Sequence, residues 1–127
     1  MARVLQVDDL APAPGRTGRF EGHEHGASVS FYVSRVPAGG GPGLHTHPYE
    51  ETFVIHEGSA TFTAGEETVE GRPGMIIVVP PNTPHKFTAG PDGLRSVNIH
   101  GSDRMIQEDL PRDSDCGLSP RKAGSAR

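Results

Sequence analysis

Glycine and proline recur throughout the chain and divide it into short apolar segments. The 127 residues include 17 glycines and 12 prolines, most of them between runs of β-branched and aromatic residues. Because both residue types interrupt helices, this spacing argues against a bundle of long helices and suits short strands joined by tight turns. The sequence therefore predicts an all-β fold, and composition alone leaves a barrel and a sandwich equally open.

The predicted strands follow from alternating or continuous apolar residues. Residues 27–36 place Val29, Phe31 and Val33 on one face and Tyr32 on the other. Residues 75–79, MIIVV, are apolar throughout, which predicts a strand covered on both faces. Six residues are predicted core members: Phe53, Ile55, Phe62, Ile77, Val79 and Phe87.

The domain organisation is predicted from where this periodicity begins and ends. Residues 1–20 read as an extended arm, and residues 21–110 as a single β-barrel or sandwich domain. Within it, residues 103–110 predict a short helix with Asp103 as N-cap. Residues 111–127 are polar without an apolar face and predict a disordered tail.

Charge and composition exclude several classes of partner. The net charge is −4 and no basic patch is visible in the body of the chain, so nucleic acid is not an expected partner. The N-terminal MARVLQVDDL lacks the apolar stretch of a signal peptide, and MIIVVPP is far too short to span a membrane. One cysteine, Cys116, cannot form an intramolecular disulfide. We expect a cytoplasmic protein that does not bind membranes.

The segment LHTHPYEE carries two histidines and two glutamates at informative spacing. Alternate residues of a strand face the same side, so His45, His47 and Glu51 project together and Glu50 projects to the opposite side. Pro48 could break this alternation, so the assignment needs support from the residues that follow.

Downstream residues supply that support. Phe53 and Ile55 share the side of Glu51, which makes it the interior, where an unpaired carboxylate is costly. His85 begins another alternating segment and shares its side with Phe87. Three histidines and one carboxylate could therefore converge on one divalent transition metal ion with open positions for water or substrate.

These residues form a pattern that resembles the cupin family. The family's first motif, glycine–x5–His–x–His–x3–Glu–x6–glycine, is matched at every position by Gly39, His45, His47, Glu51 and Gly58.

The second cupin motif, glycine–x5–Pro–x–glycine–x2–His–x3–Asn, is matched at Gly74, Pro80 and His85. It departs at Asn82, which can adopt the left-handed backbone of a turn glycine, and at Ala89, which is not a ligand position in the family.

The resemblance implies a jelly-roll β-barrel, in one domain, with one divalent metal ion inside: manganese, iron, nickel, cobalt, copper or zinc. The ligands that it implies are His45, His47, Glu51 and His85. A cupin with an empty polar pocket is the alternative, but such relatives usually lack one or more of the ligands.

The remaining histidines are predicted to lie outside the site. His23 and His25 precede the strand of residues 27–36 and are interpreted as loop residues, with His25 at the barrel mouth as the alternative. His56 alternates with Glu51 and is predicted to face outward. His100 is predicted to face away from the core, since the alternation would turn Val97 and Ile99 inward, unless a bulge changes its direction.

Three functions suit a metal that keeps open positions in an apolar barrel. The first is a dioxygenase-type oxidoreductase acting on an enol, catechol or dicarbonyl. The second is an isomerase, lyase or cyclase that uses Lewis-acid chemistry, and the third is binding without catalysis. Few residues near the motifs could act as a base: Lys86 is predicted to face outward, and Glu50 is the only other carboxylate candidate. This shortage favours the first function, in which the metal does most of the work. Glu51 is the predicted catalytic residue, since relatives are argued to use this ligand as a proton acceptor.

The resemblance also predicts a homodimer. Small cupins often pair with an N-terminal strand on the neighbour's sheet, and the apolar residues from Val4 to Val7 could serve in that way. His56 would then lie on the covered outer face.

Overall fold

A computed structural model describes residues 2–111, so the predicted tail beyond Pro111, with Cys116, lies outside the described residues. The described part is built almost entirely of β-strands, and two 3₁₀ turns, Val7–Leu10 and Gly22–Glu24, are the helical elements in it. The eight strands are β1 Gly18–Phe20, β2 Ser30–Val36, β3 His45–Thr46, β4 Glu51–Ala64, β5 Glu67–Gly71, β6 Ile76–Val79, β7 His85–His100 and β8 Glu108–Asp109.

The two long strands, β4 and β7, each run through both halves of a curled antiparallel sheet. Residues 51–58 of β4 pair with residues 94–100 of β7, and β6 and β2 extend this first half on either side. Residues 60–64 of β4 pair with residues 85–89 of β7, where β5, β3 and β8 complete the second half. This curled sheet is the predicted jelly-roll fold.

A bulged region lets β4 change direction between the two halves. The register with β7 shifts between Ile55 and Glu57 and again between Gly58 and Ala60. Gly58 has a φ of +77°, and a Cβ there would overlap the carbonyl oxygen of Gly93 on β7. Glycine is needed because both the left-handed backbone and the close strand approach exclude a side chain.

The hydrophobic core lies between the two halves, below the histidine cluster. Five of the six predicted core residues are fully buried, and Ile77 is partly buried against them. The rings of Phe53, Phe62 and Phe87 meet at centroid distances between 4.9 and 5.9 Å. The core predicted from alternation is therefore the core observed.

The predicted orientation of residues 94–100 of β7 is wrong. Ser96, Asn98 and His100 are buried on the inner face, whereas Val97 and Ile99 lie on the outer face. The rule that apolar residues face inward fails for this part of the strand because its inner face borders a polar cavity.

The predicted two-sided burial of residues 75–79 is also wrong. Ile76 is 67% exposed and Val78 is 58% exposed. They lie on the outer side of β6, beside Val54 and Thr52 of β4. The first half of the sheet therefore presents apolar side chains to its exterior.

The predicted helix over residues 103–110 is wrong. Within this segment, Glu108–Asp109 forms β8 and pairs with β3, and the Ile106 carbonyl accepts a hydrogen bond from Nδ1 of His47. The Asp103 carbonyl accepts a hydrogen bond from the His23 backbone N–H, so Asp103 is not a helix cap. Long-range partners thus take the backbone groups that a helix would pair within the segment.

Candidate metal centre

The four predicted ligands lie together inside the barrel. His45 on β3 and His85 on β7 are register partners, and His47 follows β3 directly. Glu51 comes from the other half of the sheet, at the start of β4. The ligand atoms of all four lie within 4.8 Å of one another, and each residue is at most 5% exposed. The folded sheet thus joins three imidazoles and a carboxylate from three strands and the loop that follows β3.

Backbone carbonyls orient the three histidines. Nδ1 of His45 lies 2.7 Å from the Gly43 carbonyl oxygen, and Nδ1 of His85 lies 2.8 Å from that of Thr83. Nδ1 of His47 lies 2.7 Å from the carbonyl oxygen of Ile106. A carbonyl oxygen only accepts hydrogen bonds, so each Nδ1 carries the hydrogen and each Nε2 offers its lone pair to the centre of the cluster.

The donor set fits a divalent cation. Oε1 of Glu51 lies 2.9 Å from Nε2 of His85 and 3.1 Å from Nε2 of His47. Nε2 of His47 is buried without a hydrogen-bond partner. In the orientation set by the carbonyls, imidazole lone pairs face a carboxylate, an arrangement that a central cation would stabilise. His45, His47, Glu51 and His85 therefore form a cluster that fits a metal site.

Electrostatics prepare these groups for ligation. Burial lowers the pKa of His45 to about 4, and the neighbouring imidazoles of His85 and His47 act in the same direction. Burial would raise the pKa of Glu51, but contacts with His100, His47 and His85 hold that pKa well below its usual range. At neutral pH His45 is thus neutral and Glu51 ionised, which are the forms that bind metal.

The pKa of His47 is shifted in the opposite direction from that of His45. Burial disfavours its charged form, yet the contact with Glu51 and the bond to the Ile106 carbonyl raise its pKa above the ordinary value. A cation at the cluster would compete with this proton, so metal binding should release protons.

A fourth histidine lies in the cluster. His100 is 2% exposed, and its Nε2 lies 3.2 Å from Oε2 of Glu51. Its Nδ1 lies 2.7 Å from the Tyr49 hydroxyl, which also accepts the Ile106 backbone N–H at 3.1 Å. The prediction that His100 faces away from the core is wrong. The signal that sequence reasoning missed is the alternation of Ser96, Asn98 and His100, which marks a polar inner face.

A cavity of about 380 Å³ opens onto the cluster. Phe53 and Phe87 form part of its apolar wall. Polar residues also line the cavity: Tyr32, Ser34, Asn98 and Gln107. Tyr32 was predicted on the face opposite to the pocket and instead lines it, because β2 follows the same polar-inward phase as β7. The cavity thus has both apolar and hydrogen-bonding surfaces for a small molecule.

The predictions that Glu50, Lys86 and His56 face outward agree with the structure. Glu50 and Lys86 are exposed, and the His56 side chain is 77% exposed on the outer surface. His25 is half-buried and stacks on Phe20 at a centroid distance of 4.6 Å, outside the cavity lining.

His23 lies near two carboxylates in a second cluster. It shares a 3₁₀ turn with Glu24, and with Glu21 these residues place potential ligand atoms within 4.8 Å of one another. His23 and Glu24 are exposed and Glu21 is partly buried, unlike the fully buried first cluster, and exposed acidic groups are common without a metal ion.

A sequence model of the cupin domain matches residues 32–97. The chain belongs to the cupin family. The matched segment contains all four candidate ligands and both motifs, which together span residues 39–89. A curated relative, an uncharacterized protein of Methanocaldococcus jannaschii, is 39% identical over 63 residues, which are 49% of this chain. The match spans 50% of that relative's length.

Solved structures share the fold at low sequence identity. A cupin 2 conserved barrel domain protein from Rhodopseudomonas palustris has a TM-score of 0.65 at 22% identity, covering 81% of this cupin and 73% of that chain. Oxalate decarboxylase from Lactobacillus farciminis, in a formate complex, has a TM-score of 0.67 at 18% identity, covering 74% of this cupin and 30% of that chain. At such identities these structures establish the fold alone.

Residues 2–111 contain no helix of the length and apolar character needed to cross a membrane.

Proposed function

We propose that this cupin is a metal-dependent oxidoreductase of the dioxygenase type that acts on a small enol, catechol or dicarbonyl. The observation that carries the proposal is the buried set of three histidines and one glutamate beneath a cavity of about 380 Å³. A redox-active metal bound there would supply an open coordination position and transfer electrons between the substrate and dioxygen. The protein's own residues hold the substrate, exclude water and accept its proton.

The low pKa of Glu51 supports this substrate class. Glu51 is the carboxylate that reaches the cavity, and its pKa lies well below the usual range because His100, His47 and His85 surround it. Such a carboxylate is a weak base, so substrates that ionise readily suit it best. Enols, catechols and 1,3-dicarbonyls meet this requirement. We propose Glu51 as the catalytic proton acceptor.

The cavity walls support a polar substrate. Ser34 and Asn98 can donate hydrogen bonds to substrate oxygens, while Phe53 and Phe87 exclude water from the reacting atoms. Arg16 is exposed at the cavity mouth and adds positive charge there. An anionic, oxygen-rich substrate matches this distribution of groups.

Lewis-acid isomerase, lyase or cyclase chemistry is the second candidate. The buried contact from Tyr49 through His100 to Glu51 favours it, because such chemistry requires a carboxylate whose proton can be exchanged. Binding without catalysis is the third outcome that the experiment must distinguish.

The experiment combines metal analysis with oxygen uptake. Purified protein is analysed for bound metals, and oxygen consumption is then measured with a panel of enols, catechols and 1,3-dicarbonyls. We expect uptake with at least one substrate, its loss in His47→Ala, and its retention in His56→Ala, which removes an exposed histidine. Full metal occupancy with no oxygen uptake would favour Lewis-acid chemistry or binding. A metal-free protein with an intact fold would contradict both enzymatic functions.

We also propose that the protein is a homodimer formed through the outer face of the first half of the sheet. The strand register aligns two apolar rows there: Ile76, Val54, Val97 and Val33 in one, and Val78, Thr52, Ile99 and Phe31 in the other. A second copy could cover these rows without burying a charge, since Glu57 and Arg95, of opposite sign, lie at the margin. The exposed Val4 could add to the contact, whereas Val7 packs against its own Gly18.

The double variant Ile76→Glu/Val78→Glu is expected to convert the dimer to a monomer, because it places four negative charges across a two-fold interface. Light scattering after gel filtration at micromolar concentration measures the mass. Thr68→Glu, on the exposed strand β5, is the matched control and should stay dimeric. A monomeric wild-type protein would show that this proposal is wrong.

A further inference from the structure

His100 is held beside Glu51 by backbone pairing. In the ladder between β4 and β7, Glu51 and His100 are register partners, and on the other side His100 pairs with Ser30. The imidazole is therefore attached to the middle of three paired strands. Such a position is more rigid than one on a loop, which suits a residue that must orient a ligand.

The hydrogen on His100 is placed differently from that on the three ligand histidines. The Tyr49 hydroxyl accepts the Ile106 N–H, so its own hydrogen is free to point at Nδ1 of His100, 2.7 Å away. The hydrogen of a neutral His100 then lies on Nε2, which faces Oε2 of Glu51 at 3.2 Å. The other tautomer would turn an imidazole lone pair toward the carboxylate. Nε2 of His100 thus turns a hydrogen toward Oε2 of Glu51 in a short polar contact that falls outside hydrogen-bond geometry. Nε2 of each of the three ligand histidines instead turns a lone pair toward the centre of the cluster.

The two oxygens of Glu51 consequently face different groups. Oε1 points to Nε2 of His47 and His85, and Oε2 points to Nε2 of His100. We propose that His100, oriented by Tyr49, is a positioning residue that holds Oε2, so that Glu51 offers the metal Oε1 alone. A carboxylate that binds through one oxygen leaves a coordination position for substrate that a chelating carboxylate would occupy. This inference rests on the metal binding assumed in the proposed function.

Because His100 is buried, its variants must distinguish positioning of Glu51 from mere filling of space. His100 and Tyr49 are both buried, and the Tyr49 ring stacks on His47 at a centroid distance of 5.0 Å. His100→Phe keeps a ring of similar size but removes the donor. His100→Gln keeps an N–H donor. Tyr49→Phe keeps the stacked ring and removes only the hydroxyl that sets the tautomer.

The experiment titrates metal-free protein with cobalt(II) chloride and records the visible absorption, whose intensity reports coordination number and geometry. We expect His100→Phe to weaken cobalt affinity about 10- to 100-fold, as removal of an outer hydrogen-bond partner does in other metal sites. Its spectrum should also differ from that of the wild type, because Oε2 of Glu51, no longer held by His100, can bind the cobalt ion together with Oε1. Tyr49→Phe should change the cobalt affinity and the spectrum in the same direction as His100→Phe, but by a smaller amount. His100→Gln should retain most of the wild-type affinity and the wild-type spectrum. Thermal unfolding of the metal-free variants checks that each is folded.

Several outcomes would overturn the inference. A folded His100→Phe variant with wild-type affinity and spectrum would show that His100 does not position Glu51. Weakened binding with an unchanged spectrum and no restoration by His100→Gln would show that His100 affects the site without positioning Oε2 of Glu51. Both results leave the proposed metal site intact. A wild-type protein that fails to bind cobalt would instead overturn the metal site and, with it, the role of His100.

Discussion

His47→Ala is expected to weaken binding of a divalent transition metal by more than about 100-fold, beyond the loss that removal of an outer partner causes. His47 lies at the centre of the cluster: its Nε2 is buried without a hydrogen-bond partner and lies 3.1 Å from Oε1 of Glu51. Its Nδ1 is anchored on the Ile106 carbonyl at 2.7 Å, so the ring is already oriented for ligation. Alanine removes one of four ligands, and the neighbouring imidazole of His100 is already engaged by the Tyr49 hydroxyl and Oε2 of Glu51.

Metal-dependent stabilisation measures this loss. A metal that binds only the folded protein raises its unfolding free energy, by about 2.7 kcal/mol at a free concentration 100 times its Kd. The wild type should therefore melt at a higher temperature with manganese or cobalt than with a chelator, and His47→Ala should not. His56→Ala is the matched control, because its side chain is 77% exposed on the outer surface. Equal stabilisation of wild type and His47→Ala by metal would contradict the assignment of the site.

Gly58→Ala is expected to be the most destabilising of the single substitutions at the motif glycines, by several kcal/mol. Two effects combine there. An L residue at a left-handed φ of +77° costs roughly 1–2 kcal/mol. In addition, the new Cβ would overlap the Gly93 carbonyl oxygen, which is backbone and is fixed by the pairing of β4 with β7. The bulge that lets β4 join both halves of the sheet would have to open.

Gly74→Ala separates these two effects. Gly74 also has a positive φ, +90°, but a Cβ there meets no atom within 4 Å. We expect it to cost only the backbone term of roughly 1–2 kcal/mol. Urea denaturation gives the unfolding free energy of each variant, provided that Gly58→Ala still folds; failure to fold agrees with the larger cost. Similar losses in the two variants would show that the close approach of Gly93 is relieved without cost.

The inner faces of β4 and of the start of β7 were predictable from local pattern. Phe53, Ile55, Phe62 and Phe87 occupy alternate positions of these strands and are buried as expected. The same alternation placed Glu51 inside and Glu50 outside, and the structure agrees. These predictions succeed because one face of each strand packs on an apolar core and the other meets water.

The inner faces of β2 and of residues 94–100 of β7 were not predictable in this way. In β2 and β7 the small and polar residues Ser34, Ser96 and Asn98 face inward, and apolar residues such as Val97 and Ile99 lie outside. Alternation identifies two faces but cannot say which of them borders a core when the interior holds a polar cavity. His100 and Tyr32 were misplaced for this reason.

The C-terminal segment shows a different limit. Residues 103–110 have the composition of a helix start, yet their backbone groups bond to His23, His47, Tyr49 and Leu44, all distant in sequence. Helical hydrogen bonds are local and can be anticipated from a short window, whereas these partners become available only when the barrel closes.

The sequence by itself determined most of the strands and the identity of the four candidate ligands, because each depends on spacing along one segment or on motif positions. Only the tertiary structure decided what surrounds those ligands. Tyr49 and His100, 51 positions apart, meet beside Glu51 because β4 and β7 pair in one particular register. A one-residue change in that register would turn His100 to the outer surface, so its place in the site depends on strand pairing that local sequence does not specify.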